Sequence, residues 1–138
     1  MSKRYNFPLT LAIVDIDFFK NINDTYGHTI GDIILKEFSN ILLKNIRETD
    51  YVGRWGGEEF LLIFPQTQDK SAHIIAENLR KIIEKYNFSN NINVTASFGI
   101  YECKEQNPTK CLSKADNALY EAKNSNRNCI KIFTEIED

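Results

Sequence analysis

The sequence predicts an α+β domain, a mixed and largely antiparallel five-stranded sheet flanked by helices. Three observations predict it. Apolar runs of strand length alternate along the chain with stretches of helical periodicity. Two adjacent strand-like runs are joined through Gly56-Gly57, so a hairpin brings antiparallel pairing into the sheet. The 138 residues suit one domain, and no internal repeat, low-complexity tract or Pro/Gly-rich linker divides them.

The elements follow in order. Leu9 to Val14 is a short apolar run, read as a buried strand that ends in Asp15-Ile16-Asp17. Asp17 opens a helical pattern from Phe18 to Tyr26, which Gly27 stops. Ile30, Ile33, Ile34, Phe38, Ile41 and Leu42 recur at helical spacing and predict a long amphipathic helix reaching about Ile46. Tyr51 to Trp55 and Glu59 to Phe64 are the hairpin strands, the second closed by Pro65. Ala72, Ile75, Ala76, Leu79, Ile82 and Ile83 mark a third helix, ending near Tyr86. From Ile92 to Tyr101, Val94, Ala96, Phe98 and Ile100 alternate with polar neighbours, the pattern of a half-buried strand. Leu112, Ala115, Leu119 and Ala122 give a last long helix, and Cys129 to Phe133 a last strand. The order β-α-α-β-β-α-β-α-β contains the βαββαβ core of ferredoxin-like and polymerase-palm domains. That core hosts many chemistries and selects none.

Composition narrows the classes. A net charge of −2 argues against a protein that coats nucleic acid, which needs a basic surface. Cys103, Cys111 and Cys129 show no C-x-x-C spacing and only His28 and His73 accompany them. We therefore expect reduced thiols, with neither a disulfide framework nor a zinc site. No run approaches the roughly 18 apolar residues of a membrane span, and Met1 to Tyr5 lacks the apolar run of a signal peptide. The expectation is a cytoplasmic domain, whose parent protein could still be membrane-anchored.

Two acidic clusters stand at strand ends, Asp15/Asp17 and Glu58/Glu59. If the first strand lies beside the hairpin, their carboxylates converge at one edge of the sheet. Crowded like charges persist most readily around a divalent cation, and hard oxygen ligands suit Mg²⁺. Asp15 follows the apolar run directly and reads as a ligand. Asp17 stands just before a helix and reads instead as its N-cap. Gly56 and Gly57 let a ligand approach bare backbone. Strand alternation sends Glu58 and Glu59 to opposite faces, so both reach one site only through an irregular turn. Lys123 and Arg127 are one helical turn apart at the end of the last helix. They read either as cations favoured at a helix C-terminus or as a phosphate clamp, and spacing does not choose.

Taken together, these residues resemble the GGDEF domains of the diguanylate cyclase family. The resemblance rests on Val14-Asp15-Ile16-Asp17-Phe18-Phe19-Lys20, Asn23-Asp24-Thr25-Tyr26-Gly27-His28, Gly31-Asp32, Arg54-Trp55-Gly56-Gly57-Glu58-Glu59-Phe60, Ser97-Phe98-Gly99 and Ala115-Asp116-x-Ala118-Leu119-Tyr120-x-Ala122-Lys123. They occur in the family's order and cover nearly all of Leu9 to Phe133. The third motif residue is Glu58 in place of Asp, a variant that keeps the carboxylate. Asn126 stands where the family has Gly before Arg127, and Asn tolerates the left-handed conformation at a helix end.

The resemblance implies condensation of two GTP into cyclic di-GMP and two pyrophosphates, with two Mg²⁺ or Mn²⁺ ions per GTP site. It implies metal ligands at Asp15, the Ile16 carbonyl, Glu58 and Glu59, and a catalytic role for the two glutamates that it does not divide. Asn23 and Asp32 match guanine-binding positions. A carboxylate there can accept from guanine's N1–H and exocyclic amine, which adenine does not offer. Phe19, His28, Gly56 and Gly57 match further substrate contacts, and Lys123 with Arg127 the phosphate pair. Arg47-Glu48-Thr49-Asp50 matches the inhibitory R-x-x-D motif at the family's offset from the glycine pair, so Arg47 and Asp50 are expected to hold product; a helix-ending Arg and a turn Asp are the plain alternative. A product of two-fold symmetry implies a second GGDEF domain as partner, transiently paired.

Family members carry a helix with Asp-x-Leu-Thr-Gly-Leu-x-Asn-Arg before the first strand, and this chain starts after it. The expectation is a piece of a longer signalling protein, with a sensor or receiver domain upstream, or a phosphodiesterase domain downstream. A catalytically silent module that binds GTP or cyclic di-GMP is the competing reading. Another palm-type nucleotidyltransferase or an adenylate cyclase is a third, against which Asp32 argues.

Overall fold

The computed structural model describes residues 7–135. Its elements are β1 (Leu9–Ile16), α1 (Phe19–Tyr26), α2 (His28–Lys44), β2 (Tyr51–Arg54), β3 (Glu59–Pro65), α3 (Asp69–Lys85), a short 3₁₀ turn (Ser89–Asn91), β4 (Ala96–Glu102), α4 (Pro108–Lys123) and β5 (Ile130–Ile132). One five-stranded sheet runs in the order β2-β3-β1-β4-β5. β1 pairs antiparallel with β3 and with β4, β2 pairs antiparallel with β3, and only β5 runs parallel to its neighbour β4. The mixed α+β architecture is the one expected from the hairpin and the helical periods.

The apolar run of β1 follows from its place at the centre. Thr10 to Ile16 are all buried, because helices cover both faces of the sheet there. Strand alternation divides the side chains between two cores. Ala12, Val14 and Ile16 join Phe60, Leu62, Phe64, Phe98 and Ile100 under α1, α2 and α3. Leu11 and Ile13 face the other way, onto Cys111, Ala115 and Leu119 of α4. Close approach of α4 requires Gly99 in β4. A Cβ there would lie 2.2 Å from the Leu119 nitrogen and 2.3 Å from the Ala115 oxygen.

Several expectations change. Asp17 does not cap α1; Phe18 holds that position with φ 57° and ψ 31°, and no side chain caps the helix. The α2 helix stops at Lys44, short of Ile46, where Asn45 Nδ2 donates back to the Ile41 carbonyl at 2.7 Å. β4 begins at Ala96, opposite Ile16, not at Ile92, and Ala96 to Tyr101 are buried on both faces. The polar residues between its apolar ones are not solvated: Ser97 is hydrogen-bonded within the protein and Gly99 admits α4. Arg127 is not on α4 with Lys123. The helix ends at Lys123, and Asn126, Arg127 and Asn128 follow with φ of 70°, 56° and 46°. Finally, Cys103 and Cys111 form a disulfide with Cα atoms 5.5 Å apart, while Cys129 is free. The end of β4 and the first turn of α4 bring those two cysteines together, which their spacing does not reveal.

Candidate active site

The antiparallel register puts Asp15, at the end of β1, directly across from Glu59 on β3 and Ser97 on β4. Asp15 lies on the α4 face with Leu11 and Ile13, and its carboxylate is ion-paired with Lys123 from the last turn of α4. The carboxylate is only 4% exposed. Lys123 engages Oδ2, and Oδ1 is buried with no hydrogen-bond partner among the described residues. Burial pushes the Asp15 carboxyl up to about 6; Lys123 opposes that, and Glu58 and Glu59 add to it. Burial also raises Glu59, with Lys123 pulling down and Asp116 and Glu58 pushing up. For Lys123 burial works against the charge, but Asp15 and Glu59 outweigh it and hold the amine above its usual range.

An orphaned, buried carboxylate oxygen among crowded carboxylates is an unfinished site, because such an atom without a partner is costly. A divalent cation fits this donor set of hard oxygens. Asp15, Glu58 and Glu59 are the residues that would hold it.

The hairpin turn is shaped by its backbone. Trp55 N and Gly56 N both donate to the Glu59 carbonyl, at 2.7 and 3.2 Å. Arg54 ties the turn from outside, its Nη2 donating to the Gly57 carbonyl at 2.6 Å. Neither Gly56 nor Gly57 has a positive φ, and a Cβ on either would meet nothing within 4 Å. Their contribution is therefore open, bare backbone beside the acidic edge rather than turn geometry.

Glu58 serves the opposite side from Glu59. It stands in the turn just before β3, outside strand alternation, and lines a cavity of about 480 Å³ with Phe19, Lys20, Asn23, His28 and Asp32, while both glutamates act on Asp15. Asn23 is seated by Gly31, where a Cβ would fall 1.8 Å from Asn23 Oδ1. The Ile16 nitrogen donates to the Glu58 carbonyl at 3.3 Å, joining the two strand ends.

Beyond α4, the Arg127 guanidinium stacks 4.6 Å from the ring centroid of Phe18. Sequence reasoning missed the group that organises this corner. Asp17 is buried and accepts from Thr95 Oγ1, Ser97 Oγ and the Asn128 backbone N–H. Ser97-Phe98-Gly99 was legible as a motif, but no local pattern ties Ser97 to Asp17.

Arg47 and Asp50 lie elsewhere. Arg47 Nε and Nη2 grip the Asp50 carboxylate at 2.8 to 3.2 Å, and Nη2 also donates to Thr67 Oγ1 at 2.6 Å. Thr67 is bonded in turn by Thr10 near the start of β1. The pair therefore sits towards the other end of β1 from Asp15; Thr10 and Asp15 are themselves five strand residues apart, some 17 Å at about 3.4 Å each.

A family profile described as "Diguanylate cyclase, GGDEF domain" matches residues 1–129. The chain belongs to the GGDEF family of diguanylate cyclases. It is 40% identical over 129 residues to Diguanylate cyclase A of Treponema denticola, a match covering 90% of this chain and 35% of that protein. It is 41% identical over 130 residues to the response regulator PleD of Caulobacter vibrioides, covering 89% and 29%. The chain thus spans about a third of the length of these relatives. Among solved structures it resembles the active GGEEF domain of a diguanylate cyclase from Vibrio cholerae, with TM-score 0.90, 30% identity, and 98% and 88% of the two chains covered. The GGDEF domain of DgcB from Caulobacter crescentus, solved with c-di-GMP, matches with TM-score 0.89 and 29% identity over 95% and 81%. GGDEF cyclases are in general dependent on divalent metal. No helix among the described residues is long and apolar enough to cross a membrane.

Proposed function

We propose that this GGDEF domain is a working cyclase, joining two GTP into cyclic di-GMP and releasing two pyrophosphates. The observation that carries the proposal is the buried, unpartnered Oδ1 of Asp15 beside Glu59 and Lys123. A domain that had lost its chemistry would have no reason to keep that costly atom.

In this reading guanine enters the cavity beside α1 and α2, where Asn23 and Asp32 read its edge and Phe19 and His28 line the approach. The triphosphate runs along Gly56-Gly57 towards Lys123 and Arg127, whose charges offset that of the leaving pyrophosphate. Two Mg²⁺ or Mn²⁺ ions on Asp15, the Ile16 carbonyl, Glu58 and Glu59 would supply charge neutralisation and acidify the attacking hydroxyl. A 3′-oxygen attacks the α-phosphorus of the facing GTP in line; its proton passes to solvent water, the new P–O bond forms, and the bond to pyrophosphate breaks, the pyrophosphate leaving with the bonding electron pair. The same event in the opposite sense closes the ring. Each domain holds one GTP, so two domains must face each other across a two-fold axis. An upstream sensor or receiver domain in the parent protein would govern that pairing.

Arg47 and Asp50 form the proposed product site, far enough from Asp15 to hold product while GTP is bound. Incubating the full-length protein with GTP and Mg²⁺ should yield cyclic di-GMP, and Glu58→Ala should abolish it. An inactive full-length protein under dimerising conditions refutes the reading. Arg47→Ala should lose tight cyclic di-GMP binding and retain GTP binding by calorimetry; unchanged product affinity removes the feedback claim.

A further inference from the structure

Asp17 is the buried acid that neither the metal site nor a helix cap uses. It is 3% exposed, and both oxygens are engaged. Oδ1 accepts from Ser97 Oγ at 2.6 Å; Oδ2 accepts from Thr95 Oγ1 at 2.7 Å and from the Asn128 backbone N–H at 2.9 Å. Asn128 N also reaches Ser97 Oγ at 3.1 Å. A carboxylate suits this place because each of its two oxygens accepts here. An amide would turn a donor towards one of these partners.

The turn that Asp17 holds would not keep its shape unaided. Asn126, Arg127 and Asn128 are consecutive non-glycine residues at φ of 70°, 56° and 46°, a conformation disfavoured for L-residues. Such backbone persists only when its surroundings over-determine it. The second brace comes from α3. Arg80 Nη1 donates to Asn128 Oδ1 at 3.0 Å, and Asn128 Nδ2 donates to Glu84 Oε2 at 2.9 Å. Arg80 is itself fixed by Glu77 at 2.8 and 2.9 Å.

Arg127 stands in the middle of that turn. Its guanidinium lies over Phe18, which is also left-handed and directly follows Asp17 in the chain. Asp17 thus binds the neighbour of Arg127 while setting the backbone from which Phe18 projects. We propose that Asp17 is a positioning residue for phosphate recognition: it clamps the Asn126–Asn128 turn against β1 and so holds the Arg127 guanidinium where the triphosphate is bound. This rests on the phosphate role proposed above for Arg127.

The test compares 3′-deoxy-GTP, which cannot react, with 3′-deoxy-GMP, which lacks the β- and γ-phosphates, both with Mg²⁺ and the full-length protein. Asp17→Asn should weaken 3′-deoxy-GTP by about tenfold, the scale of one misplaced charge-assisted contact, and leave 3′-deoxy-GMP within about twofold. Arg127→Ala should show the same selective loss, and Asp17→Asn with Arg127→Ala should lose no more than Arg127→Ala alone, because one acts through the other. If Asp17→Asn does not fold, as judged by circular dichroism, the pair Thr95→Val and Ser97→Ala removes two of the carboxylate's donors and should give a loss of the same selectivity. Equal weakening of both nucleotides, or losses that add to those of Arg127→Ala, overturns the inference. An Arg127→Ala protein that binds both nucleotides normally removes the phosphate role first, and the inference with it.

Discussion

Asp15→Asn should make the metal-free protein more resistant to unfolding above pH 6 while abolishing its response to metal. The Asp15 carboxyl is pushed from 3.8 to about 6, chiefly by burial. At about 1.4 kcal/mol per unit, that shift of roughly two units corresponds to about 3 kcal/mol. The sign follows from linkage. An acid whose pKa is higher in the folded state favours the fold while it is protonated. This contribution is complete below pH 3.8 and is lost as pH rises through about 6. Wild-type protein in chelator should therefore lose up to about 3 kcal/mol from this group between pH 4 and pH 7, and Asp15→Asn should not. With a urea dependence of about 2 kcal/mol per molar, the two proteins' pH-dependent changes in midpoint should differ by about 1.5 M. The carboxamide still accepts from Lys123, so the comparison across pH is cleaner than the absolute difference. At pH 7 Mg²⁺ or Mn²⁺ at a hundred times its dissociation constant should restore about 2.7 kcal/mol to wild type and nothing to Asp15→Asn. Urea titrations at the two pH values, with and without metal, measure all of this. Parallel pH profiles for the two proteins, or full metal stabilisation of Asp15→Asn, would refute the reasoning.

Gly99→Ala must move α4, since backbone atoms 2.2 and 2.3 Å from the new Cβ cannot rotate away. It should cost about 2–3 kcal/mol by denaturant unfolding and slow pyrophosphate release, because α4 carries Lys123. Gly31→Ala should do the opposite to stability and harm binding. Alanine favours the α2 helix by up to about 1 kcal/mol, but its Cβ evicts Asn23. We expect 3′-deoxy-GMP and 3′-deoxy-GTP to weaken together by about tenfold or more in calorimetry, the size of a lost hydrogen bond to a buried donor. A loss confined to the triphosphate would falsify a guanine role for Asn23.

Much of this fold could be read from periodicity, because local burial repeats at 2 or 3.6 residues whatever the partner. The run Leu9–Val14 and the hairpin around Gly56-Gly57 are of that kind. The sequence pattern of β4 misleads because its polar positions are satisfied inside the protein: Ser97 turns to Asp17, and Gly99 makes room for a helix that arrives later in the chain. The Asp17 assignment failed for a related reason. An Asp before a helix is a local cap signal, yet its three donors lie some 80 and 110 residues away. Likewise, Lys123 and Arg127 looked like one helical face, but the helix ends between them.

By itself the sequence determined the elements, the family and the residues that carry charge and carboxylate, since these follow from local pattern and residue type. Only the tertiary structure decided which of those groups meet. It joined Asp15 to Lys123 and left Oδ1 without a partner. It set Glu58 in the cavity and Glu59 against α4, turned Asp17 into the clamp of the Arg127 turn, and closed Cys103 onto Cys111. Burial and partner choice set a carboxylate's energy, and both depend on contacts between segments far apart in the chain.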